Sequence, residues 1–207
     1  MKKNKISKNW INKQRKDLYV RESKMQGYRS RSAFKLIEIN EKFNFFSKSK
    51  LFLDLGSAPG GWSQVASKKI KDGKILSVDI KEMMPINNVT FLKGDFANLE
   101  IQNKIMDFFS KKIDVVVSDM ALNTTGNKEL DSIRTGNLCL NALKFSHKIL
   151  NLKGVFVSKV FMGSIFQDIQ VKAKKIFRKM SVFKPNSSRK ESKEIYIFCS
   201  NLKMSND

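Results

Sequence analysis

Leu51-Phe52-Leu53-Asp54-Leu55-Gly56-Ser57-Ala58-Pro59-Gly60-Gly61-Trp62 is the stretch that decides how this chain folds. The apolar run closing on a carboxylate reads as a buried strand, the glycine-rich segment as a sharp turn, and the rest as the start of a helix. Gly56, Gly60 and Gly61 permit backbone conformations, and a close approach to a ligand, that a Cβ would obstruct. A turn at the carboxyl end of a strand is where open α/β sheets bind nucleotide-like cofactors. The spacing is not the G-x-G-x-x-G dinucleotide fingerprint, and no Gly-Lys-Ser/Thr follows to make a P-loop. Nothing in the segment asks for a bound phosphate.

On either side of this stretch, strand and helix patterns alternate. Strands are predicted at Leu51–Leu55, Lys74–Ile80, Val89–Lys93, Ile113–Asp119, Gly154–Phe161, Ser181–Lys184 and Glu194–Cys199. Helices are predicted from Ser32 and near Gly61–Ile70, Leu99–Lys112, Ser132–Leu150 and Ser164–Lys179. Such alternation implies an α/β fold: a mostly parallel sheet of seven strands covered by helices on both faces. The last two strands have only Pro185-Asn186-Ser187-Ser188 as a turn between them, so a hairpin puts one antiparallel strand in the sheet.

A chain of 207 residues suits one well-packed domain. No apolar run approaches the ~18 residues of a membrane span, and no signal-peptide pattern appears. Cys139 and Cys199 lie far apart without a Cys-x-x-Cys partner, which disfavours a metal site or a disulfide framework and makes a cytoplasmic setting the default. Forty Lys and Arg against nineteen Asp and Glu leave a net charge of +21, a balance suited to a polyanion such as nucleic acid. Residues 1–30 form a basic arm with Trp10, Tyr19 and Tyr28 interleaved, and residues 31–207 the folded domain. Arg29, Arg31 and Lys35 cluster at the start of the first predicted helix. With the arm, and with Lys172, Lys174, Lys175, Arg178 and Lys179 if these are more than a solvated helix face, they offer a positive surface.

Functional residues crowd at the carboxyl ends of parallel strands in such sheets. Asp79 closes the second strand, where a carboxylate can accept both ribose hydroxyls of an adenosyl group. Asp95 follows the third and is placed to receive an adenine amino group. Trp62 lines the same region or packs in the core. Asp119 closes the valine run Val115-Val116-Val117, where a buried charge needs a partner. Lys159, in Val155-Phe156-Val157-Ser158-Lys159-Val160-Phe161, is an ammonium equally out of place among apolar residues. It reads either as a base or as half of an ion pair.

The segment Asp54–Trp62 resembles the first motif of S-adenosylmethionine-dependent methyltransferases. Lys35, Asp119, Lys159 and Glu194 together resemble the Lys-Asp-Lys-Glu tetrad of ribose 2′-O-methyltransferases. With Gly-Tyr-Arg-Ser-Arg-Ser-Ala-Phe-Lys-Leu, Val-Ser-Asp-Met-Ala, Ser-Lys-Val-Phe and Lys-Pro-Asn-Ser-Ser-Arg in order, the chain is similar to the FtsJ/RrmJ family from about residue 10 to 200. The resemblance implies a Rossmann-like fold and S-adenosylmethionine as cofactor. It places cofactor contacts at Gly60, Trp62, Asp79, Asp95 and Asp119, with Gly56 and Asp54 in the first motif. It implies catalysis by Lys159 with Asp119, Lys35 and Glu194, and no metal. The implied substrate is the 2′-hydroxyl of a uridine in the A loop of large-subunit ribosomal RNA within the ribosomal particle, handled by a monomer. A tRNA anticodon-loop methyltransferase and a non-catalytic RNA-binding assembly factor are the rival readings. Leu122 stands where the family usually has proline, a departure that removes no catalytic group.

Overall fold

The computed structural model describes residues 17–122 and 125–204. Seven strands, β1 (Leu51–Leu55), β2 (Lys74–Asp79), β3 (Thr90–Lys93), β4 (Ile113–Ser118), β5 (Leu150–Phe161), β6 (Phe177–Phe183) and β7 (Glu194–Leu202), form one sheet in the order β3-β2-β1-β4-β5-β7-β6. Strand β7 runs antiparallel to both neighbours, and the remaining pairs are parallel. Helices α1 (Leu18–Met25), α2 (Ser32–Phe43), α3 (Gly61–Lys69), α4 (Leu99–Phe109), α5 (Lys128–Ile149) and α6 (Phe166–Ile176) pack around it.

The expected architecture holds, and the two helical layers define two cores. Leu51, Leu53 and Leu55 of β1 join Ile101, Ile105 and Phe109 of α4 and the buried residues of α5 and α6 on one face. Phe52, Val115, Val117, Val157, Tyr196 and Phe198 join Ala33, Leu36 and Ile39 of α2 and Trp62, Val65 and Ala66 of α3 on the other. With both faces covered, β1 is buried at every position, as expected of a central parallel strand.

Element ends depart from the sequence reading for local reasons. Helix α5 starts at Lys128, four residues early, because the Asn127 side chain accepts from the Glu129 and Leu130 amides. Helix α4 stops at Phe109, where Ser110 turns left-handed with φ 56°. Helix α6 ends at Ile176, not Lys179, because the buried Phe177 pairs with Leu202 and stacks on Phe156. Strand β5 begins at Leu150, which pairs with Ile113 ahead of a register shift.

The segment read as a solvated arm contains α1, capped by Asp17 and packed through Tyr19 against Phe34, with ring centroids 5.5 Å apart. Residues 1–16, including Trp10, lie outside the described residues. Among the described residues no helix is long and apolar enough to cross a membrane. Nor do any three or more His, Cys, Asp or Glu gather to hold a metal ion.

Candidate active site

Strand alternation aims the predicted side chains. Successive residues of a strand face opposite sides, so positions two apart share a face. The column Val115-Val117 continues to Asp119, Val155-Val157 to Lys159, and Phe198-Tyr196 to Glu194. All three columns lie on the face covered by α2, which contributes Lys35. Apolar residues fill the columns within the sheet, and the polar ones begin at the edge formed by the carboxyl ends of the parallel strands.

The tetrad assembles as two linked ion pairs. Lys159 Nζ donates to the Asp119 carbonyl at 2.6 Å and to Asp119 Oδ1 at 2.9 Å. Lys35 Nζ lies 2.7 Å from Glu194 Oε1. Tyr196, fully buried and directly opposite Lys159 in the β5–β7 ladder, joins the pairs. Its hydroxyl donates to Asp119 Oδ1 at 2.9 Å, and Lys35 Nζ lies 5.8 Å from its ring centroid. Burial holds the Tyr196 phenol well above its ordinary value, so it remains a donor.

Burial alone would raise the Asp119 carboxyl. The charges of Lys159 and Lys35 and the bonds from Lys159 and Tyr196 outweigh it and hold Asp119 below the usual carboxylate range. Removing one partner of such a buried pair strands the other charge, at a cost of about 3–5 kcal/mol. Sequence reading missed Tyr196; its signal is its place two residues beyond Glu194 on the same strand face.

The glycine turn next to the tetrad brings β1 into α3. Gly56 and Gly60 have φ of 76° and 109°, in the region that favours glycine. The sequence pointed to a ligand as the reason for small residues here, but the first neighbours are protein. A Cβ on Gly56 would lie 2.5 Å from Met120 Cγ, and one on Gly60 2.8 Å from Ile86 Cδ1. Trp62 is buried, donating from Nε1 to the Ser32 carbonyl at 2.8 Å and packing on Tyr196 at 5.7 Å. Its indole therefore belongs to the core, and its backbone lies in the first turn of α3, where amides lack intrahelical partners.

Asp54 is fully buried beneath this turn. Its Oδ2 accepts the Ser63 hydroxyl at 2.6 Å, and Ser63 lies 2.7 Å from the Ser77 hydroxyl. Its Oδ1 is buried with no hydrogen-bond partner among the described residues. Burial, resisted by Ser63 and reinforced by the charges of Asp119 and Asp79, pushes Asp54 up to about 7. Asp79 is half-buried at the end of β2, its two oxygens accepting from the Ala58 and Lys81 amides at 2.9 and 2.8 Å. Asp95, after β3, is exposed and accepts from the Ala97 amide at 2.9 Å.

Carboxylates at the ends of β3, β2, β1 and β4 thus line one edge, beside a glycine turn and a helix N-terminus. An adenosyl sulfonium donor fits this arrangement. Asp79 is half-buried and Asp95 exposed, so both present carboxylate acceptors at this edge, as a sugar and a base would need.

Two cations expected at an open RNA surface are engaged with protein. Arg29 donates from Nη1 to the Met84 carbonyl at 2.5 Å and the Pro59 carbonyl at 3.3 Å, and from Nη2 to the Pro85 carbonyl at 2.7 Å, tying the loop after β2 to the glycine turn. Arg31 bonds Asp17 and the Ser187 carbonyl, and Arg189 Nε stands 3.5 Å from the same Asp17. Glu38 of α2 accepts the Asn186 and Ser187 amides at 2.6 and 2.9 Å, seating the β6–β7 loop. A cavity of about 420 Å³ opens over Lys35 and Glu194, lined also by Arg31, Arg189, Glu191 and Ser192. Lys172, Lys174 and Lys175 are exposed on α6, away from its buried Ile169 and Ala173. Leu122 is exposed.

Comparison with known proteins agrees with this geometry. A family model described as FtsJ-like methyltransferase matches residues 28–202. A Pelagibacter ubique protein named ribosomal RNA large subunit methyltransferase E is 55% identical over 98% of this chain and 100% of its own length. The Rickettsia bellii protein of the same name is 46% identical, covering 95% of this chain and 89% of its own. A crystal structure assigned as a Plasmodium falciparum ribosomal RNA methyltransferase superposes with TM-score 0.76 and 34% identity, covering 84% of this chain and 98% of that one. A Streptococcus mutans methyltransferase solved with S-adenosylhomocysteine, 14% identical with TM-score 0.52, shares the fold over 80% of this chain and 97% of its own. S-adenosylmethionine is accordingly the cofactor. The columns of β4, β5 and β7, the glycine turn and these matches meet in one conclusion: the chain belongs to the FtsJ-like methyltransferase family.

Proposed function

We propose that the protein methylates the ribose 2′-hydroxyl of a uridine in the A loop of large-subunit ribosomal RNA, acting on the ribosomal particle in the cytoplasm as a monomer. The observation that carries this reading is Lys159 Nζ, fixed by two bonds to Asp119 and adjoined by the Lys35–Glu194 pair. The bound cofactor supplies an activated methyl group on sulfur. A ribose hydroxyl is a weak nucleophile near neutral pH, so the protein's share is to align it and to take its proton.

Two of the directions around Nζ are spent on Asp119. The third carries the lone pair once the resting ammonium has released one proton to solvent; it faces the substrate oxygen, which Lys159 orients and whose proton the amine accepts as the new carbon–oxygen bond forms. Asp119 and Tyr196 prevent the amine from swinging away. The Lys35–Glu194 pair borders the 420 Å³ cavity, which suits the neighbouring nucleotide. The basic residues ahead of α1 would add charge for contact further along the RNA, with α1 seated on the methyltransferase domain.

Lys159→Ala is expected to lower turnover by about 10²–10⁴-fold, the range for a positioned proton acceptor. S-adenosylmethionine affinity should change less than about threefold, because the residues proposed for cofactor contact remain. Glu194→Gln should be milder, since Glu194 acts through Lys35. Methyl transfer is measured on undermethylated large subunits, free ribosomal RNA and tRNA, with the product mapped by resistance to alkaline cleavage 3′ of the modified ribose. Retained activity in Lys159→Ala, or tRNA as the favoured acceptor, would overturn the assignment.

A further inference from the structure

The sheet edge opposite the catalytic one carries a row of lysines that the chemistry above does not use. Lys74 opens β2, and Lys50 immediately precedes β1, its carbonyl accepting the Lys74 amide at 2.8 Å. Lys112 immediately precedes β4, Lys153 lies near the start of β5, and Lys203 follows the last residue of the antiparallel β7. Strand order β2-β1-β4-β5-β7 places these five side by side, at one cation per strand. At the usual strand spacing the row spans about 19 Å.

Lys148, near the end of α5, adds a sixth, its carbonyl accepting from Lys112 Nζ. Lys112 borders two hollows of about 660 and 670 Å³, one shared with Lys153 and Lys203 and the other with Lys148.

Local charge compensation is sparse. Among the described residues, none of the six forms an ion pair with a carboxylate. Asp114, within the row, is committed to the Lys50 and Leu51 amides and to the Asn151 side chain, while Asp107 borders the second hollow with Lys111, Lys112 and Lys148, and Asp72 lies two residues before Lys74. Lys112 and Asp119 are separated by the whole of β4, roughly 23 Å at strand rise. The row and the tetrad therefore stand at opposite ends of the parallel strands.

We infer that this lysine edge is a second RNA-binding surface, which grips the phosphate backbone of a separate helical segment of the same folded RNA. The inference rests on the ribosomal substrate proposed above and deepens it: the enzyme would recognise a folded particle from two sides instead of a short strand. A row of point charges suits a duplex backbone, whose recognition needs phosphate contacts and no exposed bases; the rings beside it are Phe108, half-buried 5.6 Å from Lys74, and His147 in the first hollow.

The test compares binding of the full-length protein to undermethylated large subunits and to a short single-stranded RNA around the target uridine. Lys112→Gln/Lys148→Gln/Lys153→Gln is set against wild type and against Lys172→Gln/Lys174→Gln/Lys175→Gln, which removes equal charge from α6. The row variant is expected to bind subunits about tenfold more weakly at 100 mM salt, with a log K against log salt slope shallower by about 2–3. Its affinity for the short RNA should change less than about twofold. Lys50→Gln/Lys74→Gln/Lys153→Gln, which leaves the Lys112–Lys148 bond intact, should behave alike and separates charge loss from misfolding.

Unchanged subunit binding in both row variants overturns the inference. So does an equal loss in the α6 control, or an equal loss on the short RNA. Failure of the wild-type protein to methylate any ribosomal substrate would instead overturn the proposed function, because binding by the row is read separately from methyl transfer.

Discussion

At Asp54, burial removes the water that would solvate a carboxylate, and the nearby charges of Asp119 and Asp79 add to the cost of ionising it. An unfolded aspartate titrates near 3.9, whereas this one titrates at about 7. Between those values the folded chain holds more protons than the unfolded chain, so this group's contribution to stability falls as pH rises from about 4 to 7. The cofactor-free protein should therefore lose more melting temperature between pH 5 and 8 than Asp54→Asn does, as followed by thermal unfolding. Asp119 has the opposite sign: its shift is downward, and its contribution is lost only as acid protonates it. Asp54, Asp119 and Lys159 were visible in the sequence because charges closing or interrupting apolar runs stand out. Tyr196 was not, since an aromatic in a strand reads equally well as core; its bond to Asp119 exists only once β7 lies beside β5.

Helix α2 carries two ties at one end of the sheet: Lys35 to Glu194, and Glu38 to the backbone of the β6–β7 loop. Lys35 and Glu38 are three residues apart, so both project from neighbouring positions of one helical face. That loop connects to Glu194, so its seating fixes where half of the tetrad begins. Glu38→Ala leaves the Asn186 and Ser187 amides without their carboxylate. It should accelerate hydrogen exchange at those two amides by about tenfold or more, in line with a hydrogen bond to a charged group worth about 1.5–3 kcal/mol. Exchange elsewhere in the sheet should change little; unaltered rates at Asn186 and Ser187 would show that the loop is held by Arg31 and Ser187 alone. Arg31 and Arg29 read as surface cations in a basic segment. Carbonyls of distant loops, presented only by the fold, convert both into braces.

With a net charge of +21, the molecule as a whole is a cation whose binding to RNA should depend steeply on salt. Wild-type affinity for large subunits is expected to fall by about 10³-fold or more between 50 and 200 mM salt, as six or more phosphates exchange counterions for lysine. Equilibrium binding over that range checks it, and a flat profile would show that the charge excess serves solubility. The distribution of charge matters as much as its sum. Opposite charges are concentrated in pairs at the catalytic edge, whereas the described lysines of the far edge stand without carboxylate partners.

The order of strands and helices, the glycine turn and the out-of-place charges of Asp119 and Lys159 were legible in the linear chain, whereas Lys35 and Glu194 were marked only by the family resemblance. Hydrophobic periodicity and turn chemistry are local, and they survive without knowledge of neighbours. Which cations are free, which are clamped and which oxygen is left unsatisfied was settled by packing alone. Those properties depend on groups far apart along the chain, such as Arg31 with Ser187 or Asp119 with Tyr196, meeting where water has been excluded.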